Sequence, residues 1–245
     1  IGVFQFLFGT KWKPGNDIYG IFPMILGSIY VTAGAVVIGV PVGILTSVFM
    51  AEYCPEKIYK PLKSATELLA GIPSIVYGFF GLVVLVPLIR SAFPGKTNGS
   101  SILTSSILLG MMILPTIIGV TESSLRTVPR QYFEGALALG ATKERSIFTV
   151  MIPAAKSGIM AGVVLGVGRA IGETMAVMMV AGNQARVPDS ILQGVRTLTT
   201  NIVLEMGYAT GLHREALIAT AVVLFIFILI INFTIACLNN RKGDA

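Results

Sequence analysis

The chain has 245 residues, of which 54% are hydrophobic and only 12% charged. A soluble domain carries roughly twice that share of charge, so these figures and a mean hydropathy of +0.81 exclude an ordinary soluble enzyme. The formal net charge of +6 would suggest nucleic acid in a soluble protein; here Lys and Arg lie mostly in short loops between apolar runs, which is a topology signal, and no nucleic-acid partner is expected.

Taken in order, residues 1–8 (IGVFQFLF) are apolar but too short to span a bilayer. They read as the tail of an earlier helix, so that a sixth span precedes residue 1. Residues 10–17 are polar, with Trp12 as an interfacial anchor. No charge occurs from Ile18 to Ala51, and a first span is expected over about 20–50, kinked at Pro41. Gly27, Gly34, Gly39 and Gly43 give it small faces for close packing. Residues 52–67 read as a loop carrying Lys57, Lys60 and Lys63, and a second, glycine-rich span follows over about 68–89. Gly95-Lys96-Thr97 lacks the earlier glycine and the strand of a phosphate-binding loop, so no nucleotide site is expected here.

A third span is expected over about 102–120, then a basic loop over 122–151. The fourth span covers about 153–181. A long polar loop follows over 182–214, in which residues 190–206 can form an interfacial amphipathic helix. The fifth span covers about 216–238. One set of loops holds Lys57, Lys60, Lys63, Arg126, Arg130, Lys143, Arg145, Arg241 and Lys242; the other holds Lys11, Lys13, Arg90, Lys96, Arg186, Arg196 and Arg214. That bias places the 122–151 loop and the C-terminus in the cytoplasm and 182–214 outside. Cys54 and Cys237 have no metal spacing and read as packing residues, and His213 stands alone at a span's outer end as an interfacial residue.

The basic loop carries an ordered stretch at 134–153, EGALALGATKERSIFTVMIP. Ala136, Leu137, Ala138 and Leu139 favour helix; Gly140 can take the left-handed conformation that ends it; Ala141 leads to Thr142, which offers a cap to a second piece starting at Lys143. Ile147, Phe148 and Val150 supply apolar contact. From the residues alone this is either a docking element or an amphipathic segment lying on the membrane surface. Its spacing resembles the EAA signature of ABC importer permeases: Glu134-Gly135-Ala136, then Gly140, then Val150 and Ile152-Pro153, with conservative departures at Gly135, Val150 and Ile152. In that family the loop is the coupling element that enters a groove of the cytoplasmic ATPase subunit. The resemblance therefore implies coupling roles for Glu134, Gly135, Ala136, Gly140, Ala141, Thr142 and Lys143.

The fourth span contains two charges, Arg169 and Glu173, four residues apart. A continuous helix would put them on one face, well inside the apolar core, where an unpaired charge costs at least ~2.5–3.5 kcal/mol. One reading is a satisfied intrahelical salt bridge, in the less favourable cation-before-anion order. The other is a site on a substrate path, with the Arg169 fork binding an oxyanion and Glu173 neutralising it when the path is empty. Intramembrane ionisable groups favour the second.

The segments 67–82 (ELLAGIPSIVYGFFGL), 136–162 and 168–183 (GRAIGETMAVMMVAGN) resemble phosphate-specific ABC permeases, and Met175-Ala176-Val177 after Gly-Glu-Thr is similar to the PstC type rather than its PstA-type sister. The resemblance implies an all-α polytopic permease of the type I ABC importer fold. It also implies a PstA-type sister permease, two PstB-type ATPase subunits carrying ATP and Mg, an extracytoplasmic PstS-type phosphate-binding protein, and no cofactor in this chain. A permease for sulfate or molybdate, an ATPase-independent transporter or channel, and a membrane sensor are the rival expectations.

Overall fold

The computed structural model describes residues 2–240, with side chains through Thr234; Cys237, Arg241 and Lys242 lie outside the described side chains. The chain opens with α1 (Val3–Phe8) and a small antiparallel hairpin, β1 (Trp12–Lys13) and β2 (Ile18–Tyr19), in which Trp12 faces Tyr19. α2 (Phe22–Val48) runs through Pro41 and ends in a π turn, Phe49–Tyr53. α3 (Glu56–Gly71) is separate. α4 (Ser74–Phe80) and α5 (Val86–Ala92) are joined through a π turn into one span of 19 residues. α6 (Ile102–Thr127) is followed by α7 (Arg130–Ala138), α8 (Lys143–Ser146) and α9 (Ile152–Ala154). Then come α10 (Lys156–Gly172), α11 (Met175–Val180), α12 (Leu198–Met206) and α13 (Gly211–Asn240).

Among the described residues, four helical stretches are long and apolar enough to cross a membrane: Phe22–Tyr53, Ser74–Ala92, Ile102–Thr127 and Gly211–Thr234. The bent pair Lys143–Ala154 and Lys156–Gly172, meeting at 69°, passes the same test only when its two helices are taken together as one broken span. α6 is the axis of the bundle. Its most apolar window is 67% buried inside the chain, against 17% for α13. The glycines of α2 explain how close the partner helices lie. A Cβ at Gly39 would sit 2.8 Å from Ile113, and one at Gly43 would sit 2.8 Å from Ile117. Gly78 and Gly81 make a second close contact, against Ala176 and Val180 of α11. The central core is Val31, Ala35, Leu108, Leu109, Met112, Ile113, Ile117 and Ala170, with α11 packed on it.

Several segments differ from the sequence expectation. Residues 56–71 form a helix, not a loop; Ile58, Leu62, Ala65 and Leu69 recur at helical spacing, but the helix buries no residue within the chain. The second span starts at Ser74 rather than near residue 68, because Ile72 and Pro73 are extended and interrupt the helix. α6 continues to Thr127, carrying Glu122 and Arg126 inside the helix. The fourth span is not one helix over 153–181: it bends at Ala155 and breaks again at Glu173 and Thr174. The interfacial helix expected over 190–206 is only Leu198–Met206, and it is buried, with Leu198, Thr200 and Asn201 at 0% exposure. Ile191, within the expected helix, lies outside the observed one and is 61% exposed.

Trp12, expected as an interfacial anchor, is a member of a buried cluster, and the half-buried His213, expected to stand alone, packs against the Trp12 and Tyr19 rings. Trp12 is 8% exposed and packs with Phe6, Tyr19, Ile21, Met24, Leu198 and Leu217. This cluster lies at the upper end of the bundle, with the 93–101 and 182–210 connections. A third cluster, including Val48, Leu125, Ile147, Met151 and Ile159, closes the lower end, with residues 128–155.

Candidate functional site

Two places carry chemistry, and the first is the break in the α10–α11 span. α10 starts at Lys156, so Arg169 lies about 20 Å along it at 1.5 Å per residue, one turn before the helix stops at Gly172. Glu173 is extended (φ −67°, ψ 129°), so it does not share a helical face with Arg169. No ion pair joins the two among the described residues. The reason is local. A break leaves the first N–H groups of α11 without carbonyl partners, and the Glu173 carboxylate turns onto them. Its Oε1 accepts from Thr174 N and Ala176 N, each at 3.1 Å. The freed carbonyls are also met: Thr174 Oγ1 donates to Gly172 O at 3.2 Å, and Thr199 Oγ1 donates to Glu173 O at 3.1 Å. Broken backbone at membrane depth persists only where such partners exist.

Arg169 is half-buried, and among the described residues it has no hydrogen bond or ion pair. The Tyr77 phenol is within electrostatic reach of its guanidinium and donates to Leu69 O at 2.9 Å. A Cβ at Gly168 or Gly172 would meet nothing within 4 Å, so the α10 face beside Arg169 is open. Thr199 reaches the break because α12 is firmly placed. Thr197 and Thr200 form a reciprocal capping box, and Leu198 N donates to Ser28 Oγ of α2 at 3.0 Å. Arg196 donates to Asn183 O, Asn201 Oδ1 and Glu205 Oε1. Glu205 Oε2 in turn accepts from Trp12 Nε1 at 2.9 Å and meets His213 Nε2 at 2.8 Å. Sequence reasoning missed Thr199, Arg196 and Glu205; the partners of Glu205 are up to 193 positions away, and only the Thr197-x-x-Thr200 pair gave a local signal.

The second place is the lower end. α7 stops in a Schellman turn: Gly140 has φ +86°, Gly140 N donates to Leu137 O at 2.9 Å, and Ala141 N donates to Ala136 O at 3.1 Å. A β-branched residue would be strained there. Thr142 then caps α8, its Oγ1 accepting from Arg145 N at 3.3 Å. Glu134, Gly135, Gly140, Thr142 and Lys143 are exposed, and Ala136 and Ala141 are half-buried. α7 buries no residue, and Leu139 is 91% exposed. Ile147 and Met151 root the segment in the lower cluster, whereas Phe148 points out.

Behind this exposed segment lies an ionic network that sequence reasoning also missed. Glu122, 1% exposed, accepts from Tyr59 Oη at 2.6 Å, Lys63 Nζ at 2.7 Å and Arg126 Nε at 2.7 Å. The hydrogen bond to Glu122 holds the Lys63 ammonium above its ordinary pKa and likewise raises the Tyr59 phenol, so Lys63 stays charged throughout the neutral range. The Glu122–Arg126 spacing of four was the available signal.

Comparison with known proteins places this arrangement. Residues 39–243 match the family described as binding-protein-dependent transport system inner membrane component. The chain is 42% identical to the probable ABC transporter permease protein YqgH of Bacillus subtilis, over 94% of this chain and 76% of that protein. It is 37% identical to the phosphate transport system permease protein PstC of Mesorhizobium japonicum, over 93% of this chain and 76% of the relative. Among solved structures it superposes on a chain of the inward-facing MetNI methionine ABC transporter with TM-score 0.65 at 20% identity, covering 91% of this chain and 94% of that one. It also superposes on a chain of a bacterial alginate ABC transporter with TM-score 0.67 at 14% identity, covering 97% and 87%.

Proposed function

Because the chain belongs to the binding-protein-dependent transport system inner membrane component family, we propose that it is the permease subunit of an ATP-driven importer of inorganic phosphate. Its identity to phosphate permeases named PstC supports the substrate. The observation that carries the site is the half-buried Arg169, without a hydrogen-bond or ion-pair partner among the described residues, beside an open helix face and a broken span. A guanidinium in that setting presents a planar fork to an oxyanion, and phosphate repays its desolvation better than water-free hydrocarbon does. Glu173 does not neutralise it. Glu173 fixes the break, so that the cation is left for the substrate.

The exposed segment Glu134–Lys143 is the surface for an ATPase subunit, with Gly140 setting the angle between α7 and α8. In this reading it faces the cytoplasm, as does the C-terminus, and the upper end faces a phosphate-loaded binding protein. A sister permease of the PstA type completes the path, and two ATPase subunits carry ATP and Mg. This chain performs no covalent step. ATP-driven closure of the ATPases pulls the coupling segment, and the spans alternate access around Arg169.

The test is ATP-dependent uptake of labelled phosphate in vesicles holding the assembled complex, with sulfate and molybdate as competitors. Phosphate-selective uptake that collapses in Arg169→Ala is the expected result. Selective uptake that survives the substitution removes Arg169 from the path. Uptake of sulfate or molybdate instead of phosphate overturns the substrate while leaving the ABC permease assignment intact.

A further inference from the structure

We infer that Glu122 is the joint through which the coupling segment steers α3 and, through α3, the break beside Arg169. It is a positioning residue for coupled transport. The inference rests on the permease reading above.

α3 is poorly held by packing. It buries no residue, and Ile58, Leu68 and Leu69 are exposed. Extended residues bracket it, Cys54 and Pro55 before and Ile72 and Pro73 after, so its ends can act as hinges. Its position is set instead by polar grips. Near its start, Tyr59 and Lys63, one turn apart, both close on Glu122. In its last turn, Leu69 O accepts from Tyr77, which lies within electrostatic reach of Arg169.

The coupling segment reaches the same joint from the other side. Arg130, the first residue of α7, pairs with Glu52 at 2.8 Å. The Lys143 ammonium lies 4.6 Å from the centre of the Tyr53 ring. Glu52 and Tyr53 both belong to the π turn at the end of α2, whose Met50 O accepts from Arg126 Nη2 at 3.0 Å. Arg126 is bonded to Glu122, and its guanidinium lies 4.5 Å over the Tyr59 ring. The contacts are therefore contiguous from both pieces of the coupling segment, through the π turn and Glu122, along α3, to Tyr77. A contiguous set of discrete contacts with a movable rigid element is what mechanical coupling requires.

The chemistry suits a joint more than a weld. Glu122 is buried on the rigid axis, but the side chains that close on it are long, and those of Lys63 and Arg126 are 32% and 42% exposed. Such partners can swing while keeping a charged hydrogen bond. A displaced π turn carries Arg126 across Glu122, and Tyr59 and Lys63 must then re-seat, turning α3.

The experiment uses the full complex in vesicles, comparing wild type, Glu122→Gln, Lys63→Met and the double variant. Phosphate uptake, ATP hydrolysis and thermal stability are measured on the same preparations. Phosphate moved per ATP is expected to fall about tenfold in each single variant, the middle of the usual range for a coupling energy, with hydrolysis and complex assembly retained. The double variant is expected to be no worse than Glu122→Gln, because both act at one joint. An unchanged ratio in Lys63→Met, or uptake and hydrolysis falling together with loss of the complex, overturns the joint while wild-type uptake leaves the permease reading standing. A wild-type complex that hydrolyses ATP but moves no phosphate overturns the phosphate reading, and the joint with it.

Discussion

The chain buries a carboxylate at each end, and the two are held in opposite ways. Glu205, at the upper end, is gripped by rings and a short-range cation: Trp12, His213 and Arg196, the last two with side chains only 12% and 17% exposed. Those rings stack further, His213 on Tyr19 at 5.9 Å and Trp12 edge-on to Tyr19 at 5.3 Å. Glu122, at the lower end, is gripped by Tyr59 and Lys63 of a helix that buries nothing and by Arg126, one turn on along α6, and the Lys63 and Arg126 side chains are 32% and 42% exposed. A carboxylate set in packed rings cannot move without unpacking them. The buried Glu122 must keep a partner, but cations on long, partly exposed side chains can swing while keeping it. The upper cluster is therefore an anchor for α12 and the N-terminal hairpin, and the lower network is the part inferred above to move.

The contrast makes graded predictions. Glu205→Leu has the largest expected effect, because it leaves Arg196 charged and uncompensated. A loss of about 3–5 kcal/mol is expected, read as a large drop in thermal midpoint of the purified protein in detergent. Trp12→Phe keeps the ring but removes the donor, and about 2 kcal/mol is expected from a lost hydrogen bond to a charged group; the same melt, alongside Glu205→Leu, checks it. Glu122→Gln should cost only about 1 kcal/mol, because the partly exposed Lys63 and Arg126 rehydrate, although phosphate moved per ATP falls about tenfold. A melt as depressed as that of Glu205→Leu would erase the distinction between anchor and joint. Thr142→Ala removes only the α8 cap and should cost about 0.5 kcal/mol, seen as a small shift in midpoint and faster hydrogen exchange at Arg145, with the Glu205 cluster unaffected.

Local devices were legible in the sequence because their partners lie within a few residues. The Schellman turn needs only Gly140 and the small residues before it, and the α8 cap needs only Thr142. The apolar runs declared the spans for the same reason, since every residue of a span answers to one solvent. The glycine faces of α2 were equally visible, though not which residues they would meet.

Other features were settled only by the fold. Arg169 and Glu173 stand four apart in the sequence, and nothing local says that the helix stops between them. That break is stable because Thr199 arrives from α12 to satisfy the Glu173 carbonyl, and α12 is held there by Ser28, Arg196 and the Glu205 cluster. The helix over 56–71 carries a legible apolar periodicity at Ile58, Leu62, Ala65 and Leu69, but the fold alone decides that it is held by one buried carboxylate on α6. By itself the sequence determined the membrane class, most of the spans and the geometry of the exposed turn at Gly140, all of which follow from short-range backbone preference and solvent. The tertiary structure decided which charges are paired, because an ion pair in a membrane protein is chosen among groups far apart in the chain by the cost of leaving any of them buried alone.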